Sequence, residues 1–263
     1  MPQLRTIDPA TLARYPSLTD RSVFVTGGGT GIGASIVEAF VRQGAKVAFV
    51  DIAAEPSRAL VQQLADADLP PPVFEPCDVR DIAALQATIA RAAAAHGDIA
   101  VLVNNVANDD RHAIEAVTVA YWDNRMAINQ RPAFFATQAV IPGMKRLGGG
   151  SIVNLGSSGW QLKQGHYPAY AVAKASVNGL TRGLAGALGK HKIRVNTVTP
   201  GWVMTERQLR FNIDEEGETK LLAEQCIPDF LQGDDIARMV LFLASDDSAM
   251  CSAQEFIVDA GWI

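Results

Sequence analysis

A tyrosine and a lysine four residues apart are the residues of this sequence best suited to proton transfer. Tyr170 and Lys174 would lie one turn apart on a helix, so their side chains would share a face. A lysine ammonium beside a phenol favours the phenolate, because the opposite charge stabilises the ionised form. Ser157, on a separate segment, adds a hydroxyl that can hydrogen-bond the same substrate oxygen. The trio predicts acid–base chemistry on an alcohol or a carbonyl, whereas the Tyr-Lys pair taken alone fits an amphipathic surface helix better.

A glycine-rich turn between a strand and a helix predicts a phosphate-binding site. The run Val23–Thr26 leads into Gly-Gly-Gly-Thr-Gly-Ile-Gly at 27–33, and a helical stretch follows. Glycines here let the backbone turn tightly and approach a pyrophosphate, which the free N–H groups of the helix then bind. Asp51 ends the next predicted strand, where a carboxylate accepts hydrogen bonds from the ribose hydroxyls and repels a 2′-phosphate. The pattern therefore favours NAD over NADP.

Short β-branched runs alternate with longer helical stretches from residue 22 onward. This alternation predicts a parallel sheet covered by helices on both faces, as in a doubly wound α/β Rossmann fold. We expect an N-terminal arm at 1–20 and one catalytic domain at 21–263. The long interval 201–232 breaks the alternation after a strand, and we predict that it is a lid over the active site. The predicted strands are Val23–Thr26, Val47–Val50, Val73–Pro76, Ile99–Asn104, Ile152–Leu155, Val195–Thr199 and Phe256–Val258, and the predicted helices lie at 31–43, 55–66, 81–96, 118–147, 168–189 and 233–245.

The composition argues against several other classes of protein. The net charge is −5 and no long basic run is present, which disfavours a nucleic-acid-binding surface. No segment has the roughly 20 uninterrupted apolar residues that a membrane helix needs. The 3 cysteines are widely spaced and lack zinc-ligand spacing, which indicates reduced thiols rather than a disulfide framework or a metal site. We therefore expect a cytoplasmic protein that binds neither metal, nucleic acid nor membrane.

The order of its motifs makes the sequence resemble the short-chain dehydrogenase/reductase family, in its compact form. The likeness covers about residues 20–263 and rests on Thr-Gly-x3-Gly-x-Gly at 26–33, Asp78-Val79, Asn104-Asn105, Asn129, Ser157 with Tyr170 and Lys174, and Pro200-Gly201 with Thr205. The resemblance implies that Tyr170 is the general base in oxidation and that Ser157 hydrogen-bonds the reacting oxygen. It also implies that Asn129 helps to hold a water between Lys174 and solvent, which makes the predicted catalytic set Asn129, Ser157, Tyr170 and Lys174.

The resemblance extends to the cofactor site and to the oligomer. At 106–107 this chain has Val-Ala where the family usually has Ala-Gly. The family likeness implies a homotetramer or homodimer formed through the helices at 118–147 and 168–189 and the C-terminal segment. The residues implied to bind NAD are Gly27, Thr30, Gly31, Ile32, Asp51, Ile52, Asp78, Val79, Asn105, Val106, Ala107, Tyr170, Lys174, Pro200, Gly201, Val203 and Thr205.

A polar loop after the fourth predicted strand indicates a substrate with several hydroxyl groups. The loop reads Asn-Asp-Asp-Arg-His at 108–112, and tryptophans at 160 and 202 offer aromatic faces for the CH groups of a sugar. A fatty or steroid substrate would instead need an apolar wall. Taken alone, the loop fits a solvated surface segment about as well. We predict substrate contacts from Asn108, Asp109, His112, Ser157, Trp160, Tyr170, Trp202 and Gln208.

Within the family, the sequence is most similar to the aldose 1-dehydrogenases. The likeness rests on the loop at 108–112, Tyr-Trp-Asp at 121–123, Trp160, Thr-Glu-Arg-Gln at 205–208 and Asp-Ala-Gly-Trp at 259–262. It implies oxidation of the anomeric carbon of a small sugar, such as xylose or arabinose, to the lactone with NAD. Two alternatives stay open: a reductase of 3-oxoacyl thioesters or other secondary carbonyls, and a non-catalytic NAD-binding regulator. A regulator would not need all four predicted catalytic residues.

Overall fold

Seven parallel strands form one sheet in the order β3-β2-β1-β4-β5-β6-β7. The structure is a computed structural model that describes residues 4–8, 11–211 and 213–263. All seven predicted strands are present, so the predicted doubly wound α/β fold is confirmed. The strands are β1 (Ser22–Thr26), β2 (Lys46–Asp51), β3 (Val73–Pro76), β4 (Val101–Asn104), β5 (Gly150–Leu155), β6 (Ile193–Pro200) and β7 (Glu255–Val258).

Helices cover both faces of the sheet. Against one face lie α1, α2 and α9, through apolar side chains such as Phe40, Leu64 and Val240. Against the other face lie α3, α5 and α6, whose apolar residues form a second buried cluster. None of the described helices is long and apolar enough to cross a membrane. The helices are α1 (Gly31–Arg42), α2 (Ala54–Asp66), α3 (Ile82–His96), α4 (Val119–Asn129), α5 (Arg131–Arg146), α6 (Pro168–Leu188), α7 (Glu206–Phe211), α8 (Glu215–Glu224) and α9 (Gly233–Ala244).

The single helix predicted at 118–147 is wrong, because the structure has two helices there. The break lies at Gln130, whose backbone leaves the helical region at φ −131° and ψ −54°. Pro132 follows in the first turn of α5. A proline has no N–H to donate and its ring collides with the carbonyl one turn back, so it begins a helix well and interrupts a continuing one.

The strand order reverses between β1 and β4, which are neighbours in the sheet. The chain builds outward to β2 and β3 on one side and to β5, β6 and β7 on the other. In open α/β sheets, ligands bind at the carboxyl ends of the strands at such a reversal. The fold therefore brings the segments after β1, β4, β5 and β6 to one crevice.

The interval 201–232, the predicted lid, contains α7 and α8 and has a small apolar core of its own; that it closes over a substrate stays a prediction, and it is called the lid below. Its buried residues are Met204, Leu221 and Phe230. The N-terminal arm contacts this core through Leu4, and Arg5 forms ion pairs with Asp229 near the end of this interval and with Asp235 in the first turn of α9. Residues 1–3 and 9–10 of the predicted arm and residue 212 of the lid lie outside the described residues.

Candidate active site

The predicted catalytic trio lines one cavity of about 230 Å³ at the carboxyl ends of the strands. Tyr170 and Lys174 lie in the first two turns of α6, which begins at a proline. Ser157 follows β5, and its hydroxyl accepts a hydrogen bond from the Gly159 N–H at 3.2 Å and lies within interaction range of the Tyr170 phenol. Lys174 Nζ donates to the carbonyl oxygen of Leu155 at 2.7 Å and lies 5.9 Å from the centre of the Tyr170 ring. The fold thus holds a phenol, an ammonium and a hydroxyl around one space.

Burial, rather than the lysine, has the largest effect on the pKa of Tyr170. Desolvation raises this pKa far above its usual value, and the hydrogen bond from Ser157 opposes the rise only in part. The pKa of Lys174 is lowered to about 8, because burial disfavours the ammonium. Lys174 is not among the groups that shift the pKa of Tyr170 here, so its expected role in making Tyr170 acidic stays a prediction. The negative charge of Asp109 raises the pKa of both groups, so it lies within electrostatic reach of the pair.

Asn129, at the end of α4, holds the start of the polar loop. Its Oδ1 accepts a hydrogen bond from the Asn108 N–H at 2.7 Å, and its Nδ2 donates to the Asn108 carbonyl at 3.1 Å. Asn129 and Lys174 also line a second cavity of about 20 Å³, together with Asn104, whose buried Oδ1 has no partner among the described residues. This volume suits one water molecule. The role of Asn129 in holding a water stays a prediction.

The turn after β1 has the shape that a pyrophosphate needs. Gly31 has a φ of +52°, a conformation that favours glycine. A Cβ atom added to Gly33 would overlap the carbonyl oxygen of Gly27, so α1 can approach the turn only with glycine there. Asn105 fastens the other side, because its Nδ2 donates to the Gly27 carbonyl at 2.7 Å. The free N–H groups of the α1 N-terminus therefore face a narrow cradle that fits a dinucleotide phosphate.

Asp51 ends β2 beside this cradle. Its carboxylate accepts hydrogen bonds from the N–H groups of Gly29 at 2.9 Å and Ala53 at 2.8 Å. These bonds fix the carboxylate, and an ionised carboxylate has about four acceptor positions, so two remain for ribose hydroxyls. The next residue, Ile52, is 72% exposed, as an apolar surface for an adenine ring would be. The residues present thus fit a dinucleotide.

The other predicted cofactor residues fall into two groups along the crevice. Asp78, after β3, is paired with Arg80, and this hydrogen bond lowers the pKa of the Asp78 carboxyl. Val79 is buried. Lining the main cavity are Ile32, Asn105, Ala107, Pro200, Gly201, Val203 and Thr205, whereas Gly27, Thr30, Gly31, Asp51, Ile52, Asp78, Val79 and Val106 lie outside its lining.

The predicted substrate residues do not all reach the cavity. Asp109, Trp202 and Gln208 line it together with Ser157 and Tyr170. Asn108, His112 and Trp160 are not part of the lining.

Local contacts account for two of these placements. Asn108 is tied to Asn129 through its backbone, as described above, and its Oδ1 accepts a hydrogen bond from the N–H of Asp110 at 2.9 Å. His112 Nε2 accepts a hydrogen bond from the N–H of Ala169 at 3.2 Å. His112 thereby fastens the loop to the start of α6.

Five large polar or aromatic side chains of the lining were absent from the predicted site residues, as were the smaller or apolar lining residues Leu155, Gly156, Ser158 and Gly159. Tyr167 packs edge-on against Tyr170 with ring centres 5.1 Å apart, and Trp262 stacks on Trp202 at 6.5 Å. Arg111 lies over the ring of Tyr167, 4.6 Å from its centre. The proximity of 164–167 to Tyr170 in sequence is the one signal that could have indicated that segment. The five residues are Arg111, Gln164, His166, Tyr167 and Trp262.

Comparisons with known proteins place this site among dehydrogenases. A family model described as enoyl-(acyl carrier protein) reductase matches residues 27–263. "Probable galactose dehydrogenase GalD" of Rhizobium meliloti strain 1021 is 50% identical over 249 residues, which cover 95% of this chain and 97% of that protein. D-xylose 1-dehydrogenase of Caulobacter vibrioides is 48% identical over 250 residues, which cover 95% of this chain and 98% of that protein. A short-chain type dehydrogenase/reductase structure from Mycobacterium ulcerans matches with TM-score 0.88 at 27% identity, over 94% of this chain and 90% of that chain.

Proposed function

The chain belongs to the short-chain dehydrogenase/reductase family, and on this basis we propose that it is an NAD-dependent aldose 1-dehydrogenase. It oxidises the anomeric hydroxyl of a small sugar, such as a pentose or galactose, to the lactone. The observation that carries the proposal is the polar wall formed by Asp109 and Gln208 in the same cavity as Ser157 and Tyr170. Such a wall suits a substrate with several hydroxyl groups and not an acyl chain.

Tyr170 and Ser157 perform the proton transfer. The anomeric hydroxyl binds where both hydroxyl groups can reach it, and Tyr170, as the phenolate, accepts its proton. Ser157 donates a hydrogen bond to the same oxygen and keeps it aligned. A bound nicotinamide cofactor supplies the acceptor for the hydride that leaves the anomeric carbon. The positive charges of Lys174 and of the oxidised nicotinamide favour the phenolate against the cost of its burial.

Lys174 connects the reacting phenol to the small cavity beside Asn129. Its pKa of about 8 lies close to neutral pH, so the ammonium can lose and regain a proton readily. A water in that cavity would be within the reach of Lys174 and Asn129, which both line it. Lys174 and this water carry the proton from Tyr170 toward solvent.

Members of this family use nicotinamide cofactors, and we assign NAD rather than NADP to this chain. Asp51 supports the choice, because a carboxylate at the end of β2 would repel a 2′-phosphate. Arg58, the first cation after Asp51 in the sequence, is paired with Glu55 at 2.8 Å. That pairing leaves Arg58 poorly placed to compensate a phosphate.

We further propose a cytoplasmic location and a homotetramer or homodimer formed through α4, α5 and α6. All three cysteines are free, which fits a reducing compartment. Apolar side chains are exposed on the helices concerned, with Phe134 on α5 at 44% and Val172 on α6 at 49%. Residues 21–263 act as one catalytic domain, with the lid closing over the sugar.

The direct test is a substrate panel with the purified protein. D-xylose, L-arabinose, D-galactose and a 3-oxoacyl thioester are each assayed with NAD, NADP or their reduced forms. We expect reduced NAD to form with at least one aldose, and we expect no turnover of the thioester. Turnover of the thioester without turnover of any aldose would assign the site to a carbonyl reductase.

A further inference from the structure

We propose that the Asp109 carboxylate is the specificity-determining acceptor of the cavity and that Gln208 of the lid positions it. Asp109 would accept a hydrogen bond from a sugar hydroxyl other than the reacting one. The inference rests on the proposed function and deepens it, because it states which feature of a sugar the enzyme requires. It follows from the contacts that hold Asp109 beside the catalytic pair.

Donors from two different segments hold the Asp109 side chain. Its Oδ2 accepts hydrogen bonds from Arg111 Nη1 at 3.0 Å and from Gln208 Nε2 at 3.2 Å. Its Oδ1 lies 3.3 Å from Arg207 Nη2. An ionised carboxylate can accept about four hydrogen bonds, so these three donors leave capacity for one more. Asp109 lines the cavity, and the donor that it still lacks can come from a bound ligand.

Gln208 is orientated by a neighbour that can only donate. Trp202 Nε1 donates to Gln208 Oε1 at 2.9 Å. An indole N–H has no acceptor capacity, so the amide oxygen must face Trp202 and the amide nitrogen is left for Asp109. Gln208 lies on α7, the first helix of the lid. The placement of Asp109 therefore depends on the lid being seated over the cavity.

The carboxylate is close enough to the catalytic pair to contact the same small molecule. The charge of Asp109 raises the pKa of both Tyr170 and Lys174. Asp109, Ser157 and Tyr170 line one cavity of about 230 Å³. A sugar with its anomeric hydroxyl at Tyr170 can thus present another hydroxyl to Asp109.

An acceptor of this kind discriminates against substrates that lack a donor. A methylene group or an ether oxygen opposite the carboxylate would displace water without replacing its hydrogen bond. The Asp109 side chain is partly buried, and leaving such a charged group without its hydrogen bond in the complex costs more than an ordinary neutral hydrogen bond is worth. The site is therefore expected to reject deoxy sugars and acyl chains.

The test is a cycle of enzyme variants and deoxy substrates. The kcat/KM of the best aldose and of each of its single deoxy analogues is measured for the wild type, Asp109→Asn and Asp110→Asn. Asp110 is a matched control, because it is a neighbouring aspartate paired with Arg125 and Arg207 that does not line the cavity. Thermal unfolding and NAD binding verify that each variant is folded.

We expect that removal of one particular hydroxyl from the sugar reduces the kcat/KM of the wild type by about 30-fold, because a hydrogen bond to a charged group is lost. Removal of the same hydroxyl should reduce the kcat/KM of Asp109→Asn by less than about fivefold, because a hydrogen bond between neutral groups is weaker. In Asp110→Asn, removal of that hydroxyl should reduce kcat/KM by the same factor as in the wild type. Equal penalties in the wild type and Asp109→Asn at every position would overturn the inference and leave the proposed function intact. If the wild type oxidised no aldose, the proposed function and this inference would fall together.

The positioning role of Gln208 has its own readout. Gln208→Leu keeps the size of the side chain but removes both hydrogen bonds. It should raise the KM for the aldose about tenfold, the effect of losing about one to two hydrogen bonds, with kcat and the KM for NAD nearly unchanged. A fall in kcat with an unchanged KM for the aldose would contradict this role.

Discussion

Tyr170 works in an environment that opposes its ionisation. Burial and the negative charge of Asp109 both raise the pKa of the phenol, whereas Ser157 and Arg111 lower it. The groups that favour the phenolate must therefore act at short range and in the bound complex. In the proposed mechanism, these are the hydrogen bond from Ser157 and the positive charges of Lys174 and of the oxidised cofactor. The acid–base role of Tyr170 is thus tied to the loaded enzyme.

Removal of the Tyr170 hydroxyl should abolish most turnover without weakening cofactor binding. We expect Tyr170→Phe to lower kcat by about 10²–10⁴-fold, the usual contribution of a positioned acid–base group. Tyr167→Phe is the matched control, because Tyr167 lines the same cavity and, within the described part of the chain, its hydroxyl bonds only Gln164. The kcat of Tyr167→Phe should fall by less than about fivefold, because only one hydrogen bond between neutral groups is lost. Stopped-flow turnover and NAD titration measure both effects, and near-normal turnover by Tyr170→Phe would refute the assignment.

Asp51 should control the choice between the two nicotinamide cofactors. Asp51→Ser removes the charge that repels a 2′-phosphate, together with hydrogen bonds to the ribose. We expect kcat/KM for NAD to fall by about 10- to 100-fold, as for lost hydrogen bonds to a charged group, while kcat/KM for NADP rises. Asp66→Asn, at an exposed acid in the last turn of α2, should leave the ratio unchanged. An unaltered NAD/NADP ratio in Asp51→Ser would contradict the role of this residue.

At the scale of elements, the lid depends on the N-terminal arm. Arg5 binds Asp229 at 2.8 Å and Asp235 at 2.6 Å, and Gln232 Nε2 donates to the Arg5 carbonyl at 3.1 Å. Leu4 packs against the apolar core of the lid. The first described residues of the chain therefore brace the segment that carries Gln208.

Loss of the Arg5 side chain should loosen the lid. Because exposed ion pairs contribute only about 0.2–1 kcal/mol each, Arg5→Ala should raise the KM for the sugar by no more than about fivefold, with kcat retained. Limited proteolysis should cut the lid of this variant faster than that of the wild type. Arg14→Ala provides the control, since Arg14 contacts the carbonyl of Arg42 on α1 instead. Equal KM values and equal cleavage in Arg5→Ala and Arg14→Ala would rule out this bracing.

The sequence allowed the strands and the strand-end motifs to be predicted because both follow from local pattern. A buried parallel strand requires a continuous apolar run, and the chemistry of the family lies directly after such runs. The lid helices were harder to predict, since α7 spans only Glu206–Phe211 and the lid is held by tertiary contacts. Residues 214–218, of which four are acidic, form the N-terminus of α8, where the Asp214 carboxylate accepts a hydrogen bond from the Gly217 N–H at 2.8 Å.

The cavity wall shows where local pattern no longer suffices. Trp262 reaches Trp202 only because the chain end folds back onto the lid. Trp160 lies three residues from Ser157 in sequence, yet it is outside the cavity lining. Contacts of this kind depend on how separate loops pack, and residue spacing carries no information about that.

At the scale of the whole molecule, the exposed face of α6 is unusually smooth. Gly179, Gly183 and Gly186 lie along it with open space around each position where a Cβ atom would project. Glycine inside a helix costs up to about 1 kcal/mol relative to alanine, so a lone exposed helix gains nothing from three of them. Close packing of α6 against a second copy would account for glycine at these positions, in line with the proposed oligomer.

A larger side chain on this face of α6 should prevent two copies of the chain from packing together. Gly183→Leu should dissociate the oligomer by obstructing helix contact, and sedimentation velocity measures the change in mass. Ala94→Leu, at an exposed position of α3, should leave the assembly intact. A monomeric wild type, or an unchanged oligomer in Gly183→Leu, would contradict assembly through α6.

The most direct test of the central claim is to follow the hydrogen on the anomeric carbon of the sugar. The preferred aldose is labelled with deuterium at that carbon and oxidised by the enzyme with NAD. We expect the deuterium to appear in the reduced nicotinamide and the product to be the lactone. Single-turnover hydride transfer should be slower than with the unlabelled sugar. Deuterium retained in the product would show that the hydride leaves another carbon, and would contradict the assignment of this chain as an aldose 1-dehydrogenase.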